Sequence, residues 1–203
     1  MRLGLLGPLR SSNMAELETA TFHLLDKLGA ERIIYLGSDG ALERLVEITA
    51  RKLVGSDPSD DAAWGRAAEL AVRGKSAELD RFVENERRRV KLRSLESLPP
   101  RILRSMEMVA DRVTILIYDK AILDEEDIYS ANLIVFGRSD QPLTRRVGSR
   151  WFVSPGTLSE TGGAAMVDDS GEEISITLYS ASGQELRKEE LDFGRPTKLQ
   201  IQA

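Results

Sequence analysis

The chain has 203 residues, a formal net charge of −5, no cysteine and a single histidine. The absence of cysteine excludes a disulfide scaffold, zinc fingers, iron–sulfur clusters and a cysteine nucleophile. One histidine leaves no two-histidine zinc site and only His23 for a serine triad.

Leu3–Leu6 is a short apolar run stopped by Gly7-Pro8, the pattern of a buried strand feeding a turn. A helix is predicted from about Met14 to Leu28, with Leu17, Thr21, Leu24, Leu25 and Leu28 on one face and Gly29 closing it. His23 falls on the opposite face and is expected to be exposed. Arg32–Leu36 reads as a second buried strand and Ala41–Leu53 as a second helix, so the first fifty residues read strand–helix–strand–helix.

Beyond the polar loop Gly55–Asp61, Ala62–Val72 is ambiguous between helix and a short strand ending at Gly74. Ala77–Arg93 is a strongly predicted helix with a thin apolar stripe, and Ile102–Met108 is read as a short helix after the Pro99-Pro100 break. From residue 113 the pattern turns to strands: Val113–Tyr118, Leu133–Phe136 and Trp151–Val153. A hairpin of Gly163–Val167 with Glu173–Tyr179 follows, and Glu185–Phe193 is a further pairing segment.

The N-terminal MRLGLLGPLRSSN lacks the core of a signal peptide, and no run of about 18 apolar residues occurs. The expectation is a soluble, cytoplasmic protein with no membrane partner. The acidic balance argues against bulk nucleic-acid binding. Gly4 and Gly7 after a strand suggest a degenerate nucleotide-binding turn, but the third glycine is missing and Pro8 removes a backbone donor.

In an open α/β sheet, ligands bind at the carboxyl ends of strands. Five such ends are read here: Gly7-Pro8-Leu9-Arg10, Gly37-Ser38-Asp39, Val72-Arg73-Gly74-Lys75, Tyr118-Asp119 and Gly137-Arg138-Ser139-Asp140. In order and surroundings they resemble the calcineurin-like metallophosphoesterases, in particular the small branch that holds bacterial phosphodiesterases and the retromer's small phosphoesterase-like subunit. The family's strand followed by Asp-x-His-Gly corresponds to Leu3–Gly7. Its Ile-Ile-His-Leu-Gly-Asp corresponds to Ile33–Ser38, and its Val-Arg-Gly-Asn to Val72–Lys75. A later His-Gly corresponds to Tyr118-Asp119, Gly-His-Thr-His-x-Pro to Gly137–Pro142, and Asn-Pro-Gly-Ser-Leu to Ser154–Leu158.

The resemblance implies a metallophosphoesterase-like α/β sandwich, with mixed β-sheets flanked by helices and antiparallel strands at the C-terminus. It implies one domain over 1–203 with a helical insertion at about 77–108. The family holds two divalent ions, and the matching positions here are changed. Pro8 stands for an Asp, Arg10 for a His, Ser38 for the bridging Asp with Asp39 one residue out of register, and Lys75 for the Asn. Tyr118 stands for a His, and Arg138 and Asp140 for the final His pair. Proline has no ligand atom and arginine carries a fixed positive charge, so no metal and no cofactor is expected at this set.

Arg10, Lys75 and Arg138 would then either pair with Asp39, Asp119 and Asp140 and close the pocket, or bind a phosphate or nucleotide anion. The basic stretch of the long helix has Glu84, Glu86 and Glu96 interleaved and no aromatic platform, so it reads as a solvated face rather than a nucleic-acid site. Phe82, Val83, Arg87, Arg88, Arg89, Val90 and Leu92 are instead the candidate surface for a protein partner. The expected function is a non-catalytic pseudo-phosphoesterase used as a scaffold or regulatory subunit. The alternatives are a metal-dependent phosphodiesterase or phosphatase with a rebuilt site using Asp39 and Asp140, and a phosphate or nucleotide sensor without hydrolysis.

Overall fold

A computed structural model of the chain describes residues 1–10, 13–109, 111–171 and 173–193. Two sheets pack face to face. The first has six strands in the order β11-β10-β9-β1-β2-β3, with β1 Arg2–Leu6, β2 Arg32–Tyr35, β3 Leu95–Ser97, β9 Gly163–Asp168, β10 Ser175–Ser180 and β11 Glu185–Glu190. The second has five in the order β4-β5-β6-β8-β7, with β4 Arg104–Val109, β5 Arg112–Ile117, β6 Leu133–Phe136, β7 Leu143–Val147 and β8 Arg150–Ser154. Strands β1, β2 and β3 are parallel, as are β5, β6 and β8, while β9 to β11 form the antiparallel C-terminal part.

Side chains alternate across these strands. Leu3, Leu5, Ile34 and Leu36 point between the sheets and meet Leu116, Val135 and Val153 of the second sheet. Their neighbours Leu6, Ile33 and Tyr35 point the other way, onto the helices. Both faces of β1, β2 and β6 are therefore covered, which is why these strands read as unbroken apolar runs. The first sheet is flanked by α1 Met14–Phe22 and α2 Ala41–Val54, and α4 Ser76–Lys91 packs on α2. The outer face of the second, built on Ile115, Ile134 and Phe136, is covered by Ile128 of the short helix α5 Glu125–Ser130. The molecule is thus an α/β sandwich of mixed sheets flanked by helices. No helix among the described residues is long and apolar enough to cross a membrane.

Several expectations are corrected. Ile102–Met108 is not a helix: Arg104–Val109 is β4, paired antiparallel with β5 from Arg104↔Ile117 to Val109↔Arg112. Tertiary pairing outweighs local propensity there. Ala62–Val72 is wholly helical, within α3 Asp60–Arg73, whose Ser59 side chain accepts from the Ala62 amide. The first helix does not run evenly to Leu28, because His23–Lys27 is a π-helical turn that lets Leu24 and Leu25 both enter the core.

His23 is not exposed on the outer face either. It is half-buried, 5.7 Å from the Tyr179 ring, and lies against Gly183, where φ of +87° and the imidazole together leave no room for a side chain. Its Nε2 is buried without a partner among the described residues, and desolvation, aided by Lys27, holds its pKa below the ordinary 6.5. The strands β3 and β7 and the helix α5 carried no clear sequence signal.

Two predictions follow from this packing. Gly7 lies against the carbonyl oxygen of Gly156, so a Cβ there would collide with backbone. Gly7→Ala is expected to destabilise the fold by roughly 3 kcal/mol, read as a lower urea midpoint at unchanged m. For His23, the unfolded chain binds a proton that the native state resists. Stability should therefore be fully present above 6.5 and fall as pH drops through that value towards the lower native one. His23→Phe should shrink the difference in urea midpoint between about pH 7.5 and about pH 5.5, and an equal difference in both proteins would refute the assignment.

Candidate functional site

The carboxyl ends of β1, β2, β5, β6 and β8 lie at one end of the sandwich, and backbone hydrogen bonds stitch the loops that leave them. The Gly7 amide donates to the Gly163 carbonyl at 2.8 Å, Leu158 to Pro8 at 2.9 Å, and Arg138 to Tyr118 at 2.7 Å. Pro8 and Leu9 are held beside Leu158 by these contacts and by a bridge between Leu9 and Leu158. Pro8 has no amide hydrogen and no side-chain donor, so it adds only shape here.

Three carboxylates face this end, and each already has a protein partner. Asp39 Oδ1 accepts from the Tyr35 hydroxyl and from the Ala41 amide, both at 3.0 Å, and so ties β2 to the first residue of α2. Asp119 accepts from the Ala121 amide at 2.9 Å and from the Arg138 guanidinium, and these two contacts hold its pKa below the usual carboxylate range. Asp140 faces Arg10 at 3.5 Å, with both side chains well exposed, so that pair is weak. Ser38 is exposed, and Tyr118 is half-buried against the core between the sheets.

Lys75 is not part of this end. Val72–Lys75 is not a strand end but the junction between α3 and α4, where the Lys75 amide donates to Glu78. The strand that pairs beside β2 is β3, at Leu95–Ser97, and its carboxyl end is Leu98-Pro99-Pro100. Helices α3 and α4 precede that strand in the chain, so the Val72–Lys75 match falls between them and not at a strand end.

Tyr35 was missed as a site residue. It is fully buried, and its hydroxyl lies between the first two strand ends, accepting from the Leu9 amide at 3.2 Å while donating to Asp39. Burial pushes its phenol well above the ordinary value. The signal was a lone tyrosine within the aliphatic strand Arg32–Leu36.

A pair of divalent ions needs oxygen or imidazole donors that converge with free lone pairs. The donor set here does not fit. Arg10 and Arg138 present cations, Pro8 presents nothing, and Asp39, Asp119 and Asp140 face different partners on different loops. Among the described residues no three His, Cys, Asp or Glu side chains group where a metal could be held.

The candidate partner surface divides. Leu92 is buried in the core under α1 and α2. Arg88 turns to Asp26 at 3.7 Å. Arg89, nearly buried, binds Glu86, Asp60 and the Pro58 carbonyl. Phe82, Val83, Arg87, Arg89 and Val90 line one groove between α3 and α4 together with Trp64, which the ambiguous reading of 62–72 had left out.

No protein-family model matches the chain, and no curated protein matches it. Solved structures do. The phosphoesterase Yfce from E. coli superposes with a TM-score of 0.51 at 13% identity, covering 95% of this chain and 100% of that one. Vps29 from Chaetomium thermophilum gives 0.49 at 14% identity over 97% of this chain and 100% of that one. Vps29 from Entamoeba histolytica, solved in complex with Zn2+, gives 0.49 at 12% over 96% and 100%. The likeness to the E. coli phosphoesterase shows the fold alone: this chain has the fold of that protein.

The Tyr35 arrangement makes a prediction of its own. Tyr35→Phe leaves the Leu9 amide without its partner and frees one contact of Asp39. It should cost about 1–2 kcal/mol in urea unfolding with little change in m. No change in midpoint would mean that the hydroxyl holds nothing.

Proposed function

We propose that this chain is a cytoplasmic, non-catalytic form of the phosphoesterase fold that works through protein contacts, as a scaffold or regulatory subunit. The observation that supports the reading is the commitment of the strand-end carboxylates. Asp39 is taken up by Tyr35 and the α2 N-terminus, Asp119 by Arg138 and the Ala121 amide, and Asp140 faces Arg10. In this reading the loops that would gather metal ions in an enzyme are tied to one another, and they serve as the closed end of a rigid platform. Arg10 and Arg138, both largely exposed, neutralise carboxylates instead of cradling a phosphoryl group.

The test is direct. The full chain, supplied with manganese and bis-p-nitrophenyl phosphate, is expected to release no product above the metal-only blank and to keep no manganese after dialysis. Turnover that disappears in Asp140→Ala would overturn the proposal in favour of a rebuilt metal site. A rise in Tm with inorganic phosphate, abolished in Arg138→Ala and without turnover, would overturn it in favour of an anion sensor.

A further inference from the structure

Helix α3 is attached to α4 in an unusual way. α3 contains Trp64, Leu70, Val72 and five alanines, yet none of its residues is buried. What holds it is charge. Arg66 donates to Glu86 of α4 at 2.7 Å and to the Asp57 carbonyl at 2.6 Å. Arg89, only 9% exposed, reaches Glu86 at 2.6 Å, Asp60 at 2.8 Å and Pro58 at 2.8 Å. Hydrogen bonds from Arg66 and Arg89 outweigh the burial of Glu86 and keep its pKa below the carboxylate norm. α3 is thus fastened to α4 by a polar seam, and the apolar side of the pair faces outward.

That side is a groove of about 490 Å³ between the two helices, walled by Ala63, Trp64, Ala67, Phe82, Val83 and Val90. Trp64 is 78% exposed. The alanines on one wall leave room for another helix backbone to come close, and the aromatic and branched residues opposite suit side chains at i, i+4 and i+7.

The charge at the groove selects the occupant. Its one acidic lining residue, Glu86, is already bound by two arginines. Arg66, Arg89 and Arg93 against Glu86 and Asp60 leave one cation in excess, and Arg87 adds another with no ion-pair partner among the described residues. The groove is therefore basic on a chain of net charge −5. A second copy on a two-fold axis would set this excess against itself. A bilayer surface cannot fill a concave channel as a helix does.

We propose that the α3–α4 groove is a docking site for an amphipathic helix of a protein partner whose apolar stripe is flanked by acidic residues. The proposal deepens the protein-contact reading above and relies on it only for the choice of a protein as occupant. Apolar anchors fill the space beside Trp64, Val83 and Val90, and a carboxylate pairs with Arg87.

The experiment uses the full chain and a phage-displayed library of helical peptides with randomised faces. Enriched peptides are synthesised, labelled and titrated by fluorescence anisotropy. They are expected to carry apolar residues at i, i+4 and i+7 with flanking Asp or Glu. Affinity should fall about tenfold or more in Val83→Asp and in Arg87→Glu, at unchanged Tm. A peptide with Lys in place of its acids should regain binding to Arg87→Glu.

The proposal is overturned by no enrichment, by peptides that lack acids, or by peptides that bind both variants as well as the parent. It is also overturned if sedimentation equilibrium shows a dimer that Val83→Asp dissolves, or if anionic phosphatidylserine vesicles bind the chain through the same residues. Phosphodiester turnover would remove the non-catalytic reading while leaving the peptide result standing, so the two failures are distinguishable.

Discussion

The structure depends on the burial of both faces of its central strands. Leu3 and Leu5 point between the sheets while Leu6 points at the helices, and Ile34 and Leu36 do the same opposite Ile33 and Tyr35. Once two sheets share a core in this way, their connections are confined to the ends. Loops leaving parallel strands then collect at one end of the sandwich, where they must either enclose a ligand or satisfy one another. Here they satisfy one another, through backbone bonds such as Leu158 to Pro8 and through pairs such as Arg138 with Asp119.

The order of the central elements was legible because this burial writes itself into the chain. Arg32–Leu36 and Leu133–Phe136 are uninterrupted apolar runs, and a run of that kind bounded by glycine is hard to mistake. What was not legible had a physical cause in each case. β3 has three residues and follows a helix of sixteen, so no periodicity marks it and its end was sought at Lys75. β4, with Met106 and Glu107 side by side, is a strand because β5 offers it a ladder, which local preference does not reveal. At the site, the charged residues Arg10, Arg138 and Asp140 could be named from the sequence, but the role of Tyr35 could not. Its hydroxyl matters only because Leu9 and Asp39 arrive at it from separate loops.

The hairpin of α3 and α4 obeys a different rule from the body. Burial orders the sandwich, whereas Arg66, Arg89 and Glu86 order the hairpin. A buried charge cluster is a costly fastener unless every group is paired, and this one is anchored further by the Pro58 carbonyl. Such a seam fixes orientation without consuming apolar surface, so the surface stays outward.

The position of β1 has a temporal consequence. It precedes the other described strands in the chain, and it lies in the middle of its sheet between β2 and β9. Arg2 and Asp168, which pair across that boundary, are 166 positions apart. At roughly 5–20 residues per second, β9 leaves the ribosome on the order of ten seconds or more after β1. For that interval one edge of an apolar strand has no partner, so nascent chains of this fold present a sticky edge that a chaperone can occupy.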